Sequence, residues 1–158
     1  MTSSSRRGTL ASERERSRAE EPREKARDLA GVLAVAALPA CPRAVPRLRR
    51  LTAAIALSRR LPAAAQEALA VIVSELATNA VLHSGSPDLT VTIEADRHSL
   101  TVEVRDHGRW RNRSAPRCEA TDMDAEFGRG LALVDAYAVH RSVRCDADGT
   151  LVRAVVSL

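Results

Sequence analysis

Between Leu89 and Val104 apolar and polar side chains alternate: Leu89, Val91 and Ile93 with Thr90, Thr92 and Glu94, then Leu100, Val102 and Val104 after Asp96-Arg97-His98. A period of two puts one set of side chains on one sheet face, so the stretch predicts a β-hairpin with one buried face. Just before it, Ala63–His83 follows a helical period. It is Ala-rich, free of Gly and Pro, and stopped by Ser84-Gly85-Ser86-Pro87. Leu69, Ile72, Val73, Leu76 and Ala80 cover one broad face of this helix, which should lie flat on a sheet.

The remaining segments are shorter. Leu29–Leu38 is an apolar run punctuated by Pro39, Pro42 and Pro46, and predicts a first edge strand. Val45, Leu48, Leu51, Ile55 and Leu57 fall near helical spacing, predicting an amphipathic helix over Val45–Arg60 that closes near Pro62. Residues 107–127 are polar and unpatterned, the length of a ligand lid. After Gly128-Arg129-Gly130 come a short helix, Leu131–Tyr137, and strands around Val139–Cys145 and Leu151–Leu158 joined by an Asp148-Gly149 turn. Strand, helix, helix, two strands, lid, helix, two strands describes an α+β protein: a two-layer α/β sandwich with helices on one face of a mixed sheet.

Composition narrows the picture. At 158 residues there is room for one domain and a tail. Residues 1–27 have almost nothing apolar to bury and predict a disordered Arg/Glu-rich tail, leaving 28–158 as the domain. The net charge of +4 is nearly all arginine, Lys25 being the only lysine. Glu13, Glu15, Glu20, Glu21 and Glu24 offset the tail, so direct nucleic-acid binding is not expected. Cys41, Cys118 and Cys145 match no metal or disulfide framework. The Leu29–Leu38 run is far shorter than the roughly 20 residues that cross a bilayer, so no membrane association is expected and a cytoplasmic location is.

Three clusters carry candidate chemistry. Glu75, Thr78, Asn79 and His83 lie three or four residues apart and share one helix edge, an arrangement that also describes an ordinary border with solvent. Asp106-His107-Gly108 ends a buried-face strand, where a carboxylate can accept hydrogen bonds; alone, D-x-G is mostly a turn. Gly128-Arg129-Gly130-Leu131 sets glycines directly ahead of a helix whose first amides form a natural phosphate seat, with Arg129 adding charge. A flexible loop would look the same.

Taken in order, ELATNAVLH, DHG, GRGLALV and the Thr150 of DGT resemble the N, G1 and G2 boxes of the Bergerat-fold, or GHKL, ATPases shared by gyrase, Hsp90 and histidine kinases. The wording SELATNAVLHS, the small size and the compressed lid are most similar to the anti-sigma factor serine kinases and the stand-alone actinobacterial copies. The resemblance implies ATP and Mg²⁺ as ligands. It implies Glu75 as the base, Asn79 as the Mg²⁺ ligand, Asp106 as the adenine reader with Thr150 as its helper, and Gly108, Gly128, Arg129, Gly130 and Leu131 as further ATP contacts. It further implies a protein serine kinase acting on an anti-sigma factor antagonist and binding a sigma factor. The alternative is a module that holds ATP without transferring phosphate. The resembled kinases act as dimers, so a homodimer is also expected.

Overall fold

A computed structural model describes residues 30–108 and 127–158, with the backbone alone for 127–129. The tail expected over 1–27 lies outside the described residues. So do the Arg129 side chain and most of the lid, with Trp110, Arg111, Arg113, Arg117 and Cys118.

The elements are β1 (Gly31–Pro39), α1 (Ala44–Ser58), α2 (Ala63–His83), β2 (Asp88–Ala95), β3 (Ser99–Asp106), α3 (Phe127–Tyr137), β4 (His140–Asp146) and β5 (Gly149–Ser157), in the expected order. They build an α+β sandwich around one sheet of order β1-β2-β3-β5-β4. Period-two patterning decides which side chains enter the core: Leu89, Val91 and Ile93 of β2 and Leu100 and Val102 of β3 are buried beneath the helices. α2 contributes Leu69, Ile72, Val73, Leu76 and Ala77, none more than 2% exposed. With hardly an aromatic in the chain, helix and sheet approach through aliphatic side chains, Ala, Val, Leu and Ile.

Three expectations are corrected. The sheet is antiparallel at every pairing among the described strands, not mixed. The crossover from β3 through α3 to β4 leaves a gap one strand wide, and β5 folds back from β4 to fill it, pairing antiparallel with both neighbours. The last helix begins at Phe127, not Leu131, so the glycines lie within its first turn. In α1 the buried stripe is Ala44, Leu48, Thr52, Ile55 and Ala56, whereas Leu57 is exposed. Thr52 enters this apolar stripe because its hydroxyl donates to the Arg49 carbonyl at 2.9 Å.

α2 is long and apolar enough to cross a membrane by composition, but half of that span is buried inside this domain. It is the core helix of the sandwich.

Candidate functional site

The polar residues of α2 sit where its apolar face ends. Glu75, Thr78 and Asn79 are half-buried, flanked in sequence by fully buried Ile72, Val73 and Ala77. α3 packs along α2, anchored by Val134, which is fully buried, and by the Tyr137 hydroxyl donating to Glu67 Oε1 at 2.7 Å. That docking presses Gly130 onto the Glu75–Asn79 edge. A Cβ placed on Gly130 would stand 2.8 Å from Glu75 Oε2 and 3.6 and 3.7 Å from Asn79 Nδ2 and Oδ1. Only a residue without a side chain leaves this space between carboxylate, carboxamide and helix backbone unfilled. The first four amides of α3 have no intrahelical acceptor, so the donors expected just ahead of the helix belong to its own first turn. Leu131, next in line, is half-buried and packs on the core.

The Asp106 corner forms at the C-terminal end of α2. Asp106 continues the inward series Leu100, Val102, Val104, so its carboxylate turns toward the helical layer and is 4% exposed. Burial pushes its pKa above the ordinary value, while the backbone N–H groups of Gly108 and Thr150 and the nearby His107 pull the other way. The Gly108 N–H donates to Asp106 Oδ1 at 3.1 Å. Thr150 faces Asp106 across the β3–β5 ladder and is likewise buried.

This corner is fastened to α2 by two serines that sequence reasoning took only as a helix stop. Ser84, fully buried, donates from its hydroxyl to the Ala80 carbonyl at 2.6 Å and accepts the Ser86 amide at 3.0 Å. Ser86 Oγ in turn accepts the His107 amide at 3.1 Å. A Cβ on Gly108 would lie 2.5 Å from the Ser84 carbonyl carbon and 2.7 Å from the Ser86 nitrogen, so the strand end and the helix end touch backbone to backbone. A pair of serines flanking a glycine at a helix end, two residues before a strand, is the signal that was there to find. Gly149 was also missed as a site residue: its backbone rests against the carbonyl of Asp106.

The candidate groups thus occupy one half of α2. Glu75, Asn79 and Gly130 meet at its middle, and Asp106, Gly108 and Thr150 gather at its end, about 7–8 Å further along the axis at 1.5 Å per residue. His83 lies between them, half-buried and engaged with a partner. Beside Glu75 opens a groove of about 320 Å³ lined by Arg49, Ala70, Val71, Ser74, Glu75 and Leu133, in which Arg49 Nε donates to Ser74 Oγ at 2.8 Å. Among the described residues no three His, Cys, Asp or Glu side chains gather as a metal cage. A cation here would therefore draw most of its ligands from water or from a phosphate.

Residues 38–156 match the model of the histidine kinase-like ATPase domain family. No curated protein sequence matches the chain.

Proposed function

The chain belongs to the histidine kinase-like ATPase domain family, and from that premise we propose that it is an anti-sigma factor with ATP-dependent serine-protein kinase activity toward an anti-sigma factor antagonist. The observation that carries this reading is the contact of Gly130 with both Glu75 and Asn79. It supports a phosphate seat, a metal ligand and a base at one place.

In this reading the Asn79 carboxamide oxygen would hold Mg²⁺ together with the phosphates, a cation that needs few protein ligands. When bound, the ion neutralises phosphate charge. The first-turn amides of α3 and Arg129 hold the phosphates in line, which is most of what phosphoryl transfer asks of a protein. The groove beside Glu75 supports the rest, since it leaves that carboxylate open to a serine hydroxyl from outside. The hydroxyl oxygen bonds to the γ-phosphorus, its proton passes to Glu75, and the bond to the departing ADP oxygen breaks. Sigma factor and antagonist are the proposed partners.

Glu75→Gln tests the base. With ATP, Mg²⁺ and the protein partner captured from native cytosol, wild type should place phosphate on a partner serine, detected by mass spectrometry. The variant should bind ATP within about threefold of wild type yet transfer phosphate at least 100-fold more slowly, the range of a lost general base. Undiminished transfer would remove Glu75 from the role. ATP binding by the wild type with no transfer to any partner would favour the non-catalytic alternative.

Asp106→Asn separates binding from stability. The adenine amino group donates, so replacing a charged acceptor by an amide should cost roughly 10–100-fold in ATP affinity and level the preference over GTP. Stability should move the other way. A buried carboxyl with a raised folded-state pKa favours the native state fully below its unfolded pKa, and that contribution is lost as pH rises through the folded value. The Asn variant should therefore melt higher than wild type at neutral pH, with the gap closing as pH falls through the carboxylate range. A gap that widened in acid would contradict the burial argument.

A further inference from the structure

α3 rests on its neighbours through little apolar surface. Among the described elements it packs chiefly along α2, with a lesser contact at β4. Val134 is its one fully buried side chain among the described residues, while Ala132, Leu133, Asp135 and Ala136 are exposed. An apolar contact is non-directional, so a helix held by one can slide along its neighbour. A hydrogen bond demands a definite separation, about 2.7–2.8 Å for two oxygens, and so marks a position.

Gly130, Val134 and Tyr137 follow at helical spacing and share the face of α3 turned toward α2. On α2, Glu67 accepts from the Tyr137 hydroxyl at 2.7 Å, and Glu75 and Asn79 border Gly130. The two helices therefore run antiparallel. At 1.5 Å per residue Glu67 lies about 12 Å from Glu75 and Tyr137 about 10.5 Å from Gly130, so the two contacts stand at opposite ends of one packed face. Slipping by one turn, about 5.4 Å, would break the Tyr137–Glu67 bond and could set Val134 toward the carboxylate and carboxamide in place of glycine.

We propose that Tyr137 is a positioning residue: its bond to Glu67 fixes the register of α3 on α2 and so sets where the phosphate seat meets Glu75 and Asn79, a role that rests on the site holding ATP. The other side-chain bonds of α3 among the described residues, from Arg141 to Asp135 at 2.6 and 3.0 Å, tie the same end to β4. Only the tyrosine refers that end to the helix that carries the polar edge. Its hydroxyl keeps the donating proton, because the Glu67 carboxylate it bonds to raises its pKa above the ordinary value. The Asp106 corner, built on β3, β5 and the end of α2, forms its bonds without α3.

Paired titrations of the full chain with ATP and Mg²⁺ and with adenosine test this. Tyr137→Phe keeps the ring and should weaken ATP binding about tenfold, leave adenosine within about twofold, and lower the melting temperature by no more than about 5 °C. Glu67→Ala should match it, and Glu67→Gln, which still offers an oxygen, should bind ATP within about threefold of wild type. The double variant Tyr137→Phe with Glu67→Ala should lose no more than either single change, since both remove one bond. Unchanged ATP affinity in Tyr137→Phe would overturn the proposal. So would equal losses for ATP and adenosine, the mark of a structural role alone, or additive losses in the double variant. A wild type that binds no ATP would overturn the nucleotide reading as well, which separates the two failures.

Discussion

Asn79→Ala should weaken Mg²⁺-dependent ATP binding at least about 100-fold, or roughly 2.7 kcal/mol, and leave the fold intact. The two halves of that expectation come from different observations. The carboxamide stands beside the backbone of Gly130 together with the Glu75 carboxylate, the one place among the described residues where a helix start meets both of these side chains of the α2 edge. Removing the neutral side-chain oxygen of that trio takes a ligand from any cation shared with phosphate, while Glu75 alone cannot restore the geometry. The fold does not depend on it, because Asn79 is half-buried on a helix and outside the core cluster. Alanine is also the better helix former by several tenths of a kcal/mol, so the melting temperature should hold or rise slightly. Calorimetric titrations with Mg²⁺ and with a chelator separate the outcomes: the variant and wild type should differ with the metal and converge without it. An equal loss in both conditions would mean that Asn79 touches the nucleotide directly and is not the metal ligand.

Much of the fold was legible because its signals are local. Ala63–His83 matches the observed helix to the residue, since an unbroken Ala-rich run and a Ser-Gly-Ser-Pro stop leave no competing structure. The β2–β3 hairpin is as plain, its period of two unbroken on both sides of Asp96. Parallel versus antiparallel pairing was not legible, because strand direction depends on which gap β5 fills after the β3–α3–β4 crossover, and no residue within a strand encodes that. The start of α3 was misplaced for a related reason. Two glycines read locally as a loop, yet in the fold a helix can begin through them where a side chain on Gly130 would collide with Glu75. For the candidate site, residue types and order were visible while their mutual approach was not. Ser84 and Ser86 looked like turn residues, and only packing shows them buried and tying α2 to the Asp106 strand end.

The contact of Gly149 with Asp106 leads to the largest expected loss of stability. Gly149 has φ +128, a region that side chains rarely enter, and a Cβ there would be driven into the backbone carbonyl of Asp106 and to 2.8 Å from the His107 Cα. Backbone strain of about 1–3 kcal/mol adds to overpacking of about 1–3 kcal/mol, so Gly149→Ala should cost roughly 4 kcal/mol, a large part of a domain's stability, and lower the melting temperature by about 10–15 °C. Gly31 supplies the comparison. It has φ +117 but nothing within 4 Å of an added Cβ, so Gly31→Ala should pay the dihedral strain alone and lose less than half as much. The two variants should also differ at the nucleotide. Forcing β3 and β5 apart at Asp106–Thr150 moves a carboxylate whose acceptance depends on its place at the end of α2, so ATP affinity should fall in Gly149→Ala beyond what partial unfolding explains. In Gly31→Ala, at the far edge of the sheet, it should not. Equal losses of stability in the two would mean that the turn needs glycine for its dihedral angle only, and the close approach to Asp106 would carry no weight in the site.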